Sequence, residues 1–163
     1  MRMRPSNFPT VRMAQFTALL EQSEALFSKV LEVSSIEEYV TLFSVEAHSW
    51  WDTHYRFDKT SSKRRKKLGK ASVENLLVNT VAPFLFIYGK ERQLAQYRDS
   101  ALDLLEKLPG EKNSIVKKWE EIGLASHNAF QSQALLQLNQ AYCTSKKCLN
   151  CNIGNQILKS RAQ

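Results

Sequence analysis

Residues 74–89 read ENLLVNTVAPFLFIYG, the longest apolar segment of the chain. Wound as a helix, it sets Leu77, Val81, Phe84 and Tyr88 on one stripe and Leu76, Leu85 and Ile87 beside it, with Val78, Ala82 and Phe86 on the back. A helix that is apolar on every side has to be covered on every side. Its uninterrupted apolar run is about 13 residues, short of the roughly 20 that cross a bilayer, so it reads as the central helix of a soluble bundle with no membrane partner. Pro83 removes the bond to the Asn79 carbonyl and predicts a kink there. Asn75 and Asn79, one turn apart, are placed to satisfy carbonyls near that kink.

Working outward, the remaining patterns are also helical. Pro5 and Pro9 favour an extended approach, and Thr10 is placed to cap a helix to about residue 22, with Val11, Ala14, Phe16, Leu19 and Leu20 inward. A second helix covers 25–33. Ser35 and Glu38 form a capping box opening a third, with Ile36, Tyr39, Val40 and Phe43 inward, and the pattern lets it run on through 46–57. Beyond the central helix, which Gly89 ends, come an amphipathic stretch over 91–108 and a short helix capped by Asn113 and closed by Gly123. A last long helix starts at Ser126 or Asn128, with Phe130, Ala134, Leu135, Leu138 and Tyr142 inward. The expectation is an all-α single domain over 1–163, about seven helices around a buried, Pro-kinked centre.

Composition is typical of a soluble globular protein: 43% of residues are hydrophobic and 24% charged. The basic N-terminal residues are not followed by an apolar run, so no secretory leader is read. Three cysteines, all near the C-terminus, argue against a disulfide framework and for a reducing, cytoplasmic setting. The net charge of +7 is local: residues 1–58 carry 5 basic and 8 acidic groups, 71–163 carry 11 and 8, and 59–70 carry 7 and none. A charged partner would meet one patch.

Three stretches can carry chemistry. Segment 59–70 reads as a mobile loop whose Lys59, Lys63, Arg64, Arg65, Lys66, Lys67 and Lys70 can neutralise phosphates, while Trp50, Trp51 and Tyr55 upstream can stack on bases. The competing readings are a solvated loop that keeps the protein soluble and a contact for an acidic protein face. Segment 46–58, if helical, sets His48 and Asp52 on one face at i,i+4, with His54 half a turn further round, a carboxylate–imidazole arrangement suited to proton transfer. The competing reading is a packed aromatic cluster whose histidines donate to backbone carbonyls.

The third stretch is Cys143-x4-Cys148-x2-Cys151, within the C-terminal segment 143–163; thiolates at this spacing can hold zinc or an iron–sulfur cluster. The spacing resembles the cluster loop of helix–hairpin–helix DNA glycosylases, but position 157, where a fourth cysteine would stand, is Ile. His48 or His54 would have to complete the set, His127 lying a helix length from Cys143. The competing reading is three small buried hydrophobes.

Taken together, RPSNFPTVRMAQF (4–16), ENLLVNTVAPFLFIYG (74–89), LPGEKNSIVKKWEEIGL (108–124) and QALLQLNQAYCTSKKCLNCNIG (133–154) are similar to the C-terminal half of the bacterial family domain of unknown function 2851. The resemblance implies no assigned activity. It implies longer relatives whose preceding region carries acidic motifs like those of a restriction-endonuclease-type nuclease core, so any nuclease carboxylates would lie outside these residues. The expectation is a helical accessory domain without catalysis of its own, which contacts nucleic acid or an adjoining nuclease-like region through 59–70 and the cysteine loop. Two alternatives stand beside it: a protein-interaction scaffold, and a metal-dependent enzyme using His48, Asp52, His54 and the cysteines.

Overall fold

The structure, a computed structural model, describes residues 8–160, so the extended approach expected at Pro5 lies outside the described residues. The fold is all-α, with one two-stranded hairpin. After Leu104 the chain divides into two compact units, where the sequence suggests one domain over 1–163.

The first unit opens with α1 (Pro9–Gln22). Proline stands in the first turn, where its missing N–H leaves no bond unmade. Thr10 does not cap the helix; its hydroxyl donates instead to the Tyr55 carbonyl at 2.5 Å. Val11, Gln15 and Leu19 are buried, whereas Phe16 and Leu20, expected inward, are exposed. Buried Gln15 is satisfied because its Nε2 donates to the Lys66 carbonyl at 3.0 Å. Next come α2 (Leu26–Glu32) and α3 (Ile36–Phe43). At Ser35 the hydroxyl accepts from the Glu38 N–H, and the Glu38 carboxylate accepts from the N–H of Ser34, one residue before the position a capping box uses.

The apolar stretch lies in a continuous helical rod over Lys70–Glu91. It consists of α4 (Lys70–Leu76), a π turn at Leu77–Val81 and α5 (Ala82–Glu91). Val73, Leu77, Val78, Val81, Ala82, Leu85 and Gly89 form its buried stripe. It is not covered all round: Asn75, Asn79, Pro83, Phe86 and Ile87 line an exposed opposite face. Asn75, Asn79 and Thr80 make part of that face polar, while Phe86 and Ile87 leave apolar surface on it exposed. By length and composition alone the rod also qualifies as a bilayer span, a test that core helices of soluble proteins pass as well.

The π turn stands where the kink is expected. The Ala82 N–H bonds to the Leu77 carbonyl five residues back, widening the rod just before Pro83, whose ring would otherwise meet the Asn79 carbonyl. Asn79 Nδ2 donates to the Asn75 carbonyl at 3.1 Å, as its placement suggests. Aromatic rings pack α2 onto the rod, with Phe27 5.1 Å from Phe84 and 5.7 Å from Tyr88. Tyr88 also meets Tyr97 at 5.2 Å, on α6 (Ala95–Lys107).

In the second unit, α7 (Ser114–Glu121) starts where Asn113 Oδ1 accepts from the N–H groups of Ile115 and Val116, both at 3.0 Å. It closes at Gly123, whose φ of +91° lets the Leu124 N–H reach back to the Trp119 carbonyl. Asn128 caps α8 (Ala129–Leu138), which continues through a π turn at Asn139–Cys143. A 3₁₀ turn at Cys148–Asn150 and α9 (Asn152–Ser160) follow. Leu108, Val116, Ala129 and Cys151 are the buried apolar residues, and Phe130 and Tyr142, expected inward, are exposed.

Candidate nucleic-acid interface

Segment 46–57 is not a helical continuation of α3. After Phe43, Val45 and Ala47 are buried and Glu46 points away, a period-two pattern that only extended chain can satisfy. Their backbone groups are taken by the basic segment: Leu68 N–H donates to Val45 O at 2.8 Å, Ala47 N–H to Lys66 O at 3.2 Å, and Glu46 bridges Lys67. A 3₁₀ turn then spans Ser49–Thr53, followed by β1 (His54–Arg56), a turn at Phe57–Asp58 and β2 (Lys59–Thr60). The pairing carries on past β2, with Ser61 N–H donating to Thr53 O at 2.7 Å and Arg64 N–H to Asp52 O at 2.8 Å. The basic stretch is therefore the return leg of an irregular antiparallel ribbon. It is tied along its length, which corrects the expectation of a mobile loop.

This ribbon sorts the seven cations. Lys66 is only 5% exposed; its ammonium donates to Arg64 O at 2.9 Å and Asp52 O at 3.3 Å, and sits 3.8 Å from the Tyr55 ring centroid. Arg65 forms a two-pronged pair with Glu46, one prong at 2.6 Å. That guanidinium holds the Glu46 carboxyl below its ordinary range, and the carboxylate raises Arg65 in turn. Lys70 lies 3.8 Å from Glu74 with most of its side chain in water. Lys59, Lys63, Arg64 and Lys67 are exposed.

The proposed catalytic trio does not assemble. His48 caps the 3₁₀ turn, its Nδ1 accepting from the Trp50 N–H at 3.3 Å. Asp52 lies inside that turn with Oδ1 buried and, among the described residues, without a hydrogen-bond partner. His54 starts β1; its ring stacks on Trp50 at 3.8 Å and its Nδ1 lies 2.9 Å from the Trp50 carbonyl. The i,i+4 relation of His48 and Asp52 disappears with the helix it needed.

Aromatic side chains are the counterpart on the outward leg. Trp50 meets Trp51 edge-on at 4.9 Å, and Phe57 lies 5.9 Å from Trp50 and 5.3 Å from Trp51. This is not a closed core: Trp50 is 40% exposed and Phe57, at the hairpin tip, 75%. Sequence reasoning read Phe57 only as one member of an aromatic cluster. The signal that could have found it is Arg-Phe-Asp-Lys, a lone ring among charges, as hairpin tips present.

The three cysteines form no disulfide. Cys143 and Cys148 are exposed, Cys151 is buried, and all three are free thiols. Among the described residues no three His, Cys, Asp or Glu side chains gather closely enough to hold a metal ion. The loop closes by backbone instead, Lys147 N–H donating to Tyr142 O at 2.9 Å. Gly154 lies so near Cys148 that a Cβ there would meet its carbonyl oxygen at 2.5 Å.

Fold and ribbon define an all-α protein whose first unit carries a cationic and aromatic hairpin. The family model described as "Protein of unknown function (DUF2851)" matches residues 1–114, and the chain belongs to that family. Comparison with curated proteins finds no match, and comparison with solved structures finds none either.

Proposed function

We propose that this chain is a non-catalytic helical module that binds nucleic acid, with the ribbon of its first unit against the phosphate backbone. One observation carries the reading. Backbone hydrogen bonds hold a leg carrying exposed Lys59, Lys63, Arg64 and Lys67 beside a leg on which Trp50 and, at the tip, Phe57 are exposed, so charge and stacking surface stand side by side without ordering on arrival. Lys59, Lys63, Arg64, Lys67 and Lys70 supply the charge; Lys66 is spent internally and Arg65 is partly neutralised by Glu46. An adjoining nuclease-like region, as the family resemblance implies, is a partner compatible with this role.

Titration of labelled DNA and RNA against salt tests the proposal. Five phosphate contacts predict a log–log slope of about −4.5 on duplex, shallower on single strands. No binding at about 50 mM salt, conditions that strengthen such contacts, would remove it. A second reading, a protein-interaction module, is supported by exposed Phe16, Leu20, Phe27 and Ile87. It predicts binding to a protein partner that is unchanged when Lys63 and Arg64 are neutralised.

A further inference from the structure

We infer that the cleft between α1 and the hairpin takes an unpaired base, which makes the module selective for single-stranded nucleic acid. The inference rests on the nucleic-acid reading above and adds the class of strand and the place where the base sits.

The cleft has a volume of about 370 Å³ and opens between Thr10, Met13 and Thr17 of α1 and His48, Trp51 and Phe57 of the ribbon. Its walls suit a flat heteroaromatic ring. Phe57 presents a largely open ring, whereas one face of Trp50 is already covered by the stacked His54. Met13, 69% exposed, faces the cleft with a flexible thioether, a group that packs well on aromatic surfaces.

The polar groups at the walls suit the edge of a base. His48 Nδ1 accepts a hydrogen bond, which puts the ring proton of the neutral imidazole on Nε2 and leaves that N–H to donate. The Thr17 hydroxyl donates to the Met13 carbonyl at 3.1 Å and keeps lone pairs that accept. Glu21, which also lines the cleft, adds a further acceptor and disfavours phosphate inside it.

Charge complementarity selects this occupant over an apolar peptide. The hairpin tip is followed at once by Lys59, then by Lys63 and Arg64 along the return leg, with no acid over 59–70. Arg56 is occupied by Asp58 at 3.0 and 2.7 Å, so Lys59 is the cation beside the tip left for a phosphate. A base inserted at Phe57 would then trail its backbone along the cations. Duplex cannot do this, because a paired base offers the groove only its edges and keeps its faces stacked.

The test compares anisotropy of a labelled 12-nucleotide single strand, its duplex, an RNA of the same sequence and a strand carrying abasic positions. Each is measured with the intact chain at low salt. The expectation is single-strand binding tighter than duplex by about tenfold or more, partial quenching of tryptophan fluorescence, and loss of the preference on abasic strands. Phe57→Ala, at an exposed tip, and Thr17→Trp, which fills the cleft from an exposed helix position, are each expected to lower single-strand affinity about tenfold while duplex affinity holds. Wild-type single-strand affinity in both variants, or equal affinity for intact and abasic strands, overturns the inference yet leaves phosphate binding standing. Absence of binding to every probe overturns both.

Discussion

The Lys66 ammonium lies 3.8 Å from the centre of the Tyr55 ring, inside the ribbon and away from water. One member of the cationic run is thus a structural residue, holding the two legs through carbonyls of Asp52 and Arg64. Lys66→Ala removes two charge-assisted hydrogen bonds and the ring contact, and it should cost about 2–3 kcal/mol in urea unfolding. Lys63→Ala and Arg64→Ala should leave stability within about 0.5 kcal/mol while each lowers the salt slope of binding by about one. Equal destabilisation by all three would show that the legs are not held in this way.

Gly89 tests how tightly the rod meets the chain that follows it. A Cβ there would lie 2.8 Å from the Leu94 carbonyl oxygen and 2.9 Å from the Arg98 nitrogen, both backbone atoms that cannot swing aside. Helix propensity alone favours alanine by about 1 kcal/mol. The clash outweighs it, so Gly89→Ala should destabilise by about 1–3 kcal/mol. Gly69, with nothing within 4 Å of its Cβ position, is the control that should tolerate alanine.

Why some of this was legible in the sequence and some not follows from what each signal measures. The rod, the caps at Ser35, Asn113 and Asn128 and the stop at Gly123 rest on local backbone chemistry, and all appear. The rod's exposed face is not legible in the sequence, because a count of apolar residues does not say how many neighbours there are to cover them. The ribbon is not legible because its loop-to-loop bonds join residues 8 to 23 positions apart, from Ser61–Thr53 to Leu68–Val45, and Val-Glu-Ala is too short an alternation to outweigh a helical pattern upstream. The run 59–70 looked mobile for the same reason: charge is visible along a sequence, but a backbone partner is not.

The Glu46–Arg65 pair predicts an acid response. Hydrogen bonds from the Arg65 guanidinium hold the Glu46 carboxyl below its ordinary value; the charges of Arg65 and Lys67 add to this, and partial burial opposes it. The pair's contribution stands in full above the usual carboxylate range and is lost as pH falls through the lowered value. Glu46→Gln should therefore flatten the acid side of a stability-against-pH curve and leave neutral and alkaline values nearly parallel to wild type. Salt should shrink the difference, because the guanidinium is exposed.

Tyr39 links α3 to α2. Its buried hydroxyl donates to the Val30 carbonyl at 3.0 Å, and burial, with the nearby Glu38 charge, raises its pKa. Tyr39→Phe leaves that carbonyl without its partner and should cost about 1–2 kcal/mol in denaturant. Since the folded phenol resists ionisation, wild-type stability should hold below the ordinary tyrosine range and decline as pH rises through it. Tyr39→Phe should lose that part of the alkaline decline.

Thiol chemistry separates the two accounts of the C-terminal cysteines. A set of metal ligands would protect all three together, and zinc or iron would survive purification at a fixed ratio. Free thiols react according to exposure. Cys143 and Cys148 are exposed and Cys151 is buried, so an aromatic disulfide reagent should label two groups rapidly and the third only as the protein unfolds. Prior addition of zinc should leave the fast phase unchanged, and a chelator should not move the thermal midpoint. Slow labelling of all three, protection by zinc and a midpoint lowered by chelator would together mean that the thiols converge on a metal. In that event the loop over 143–151, now held by its own backbone bonds and by hydrogen bonds from Thr144 and Asn155, would have to rearrange around the ion.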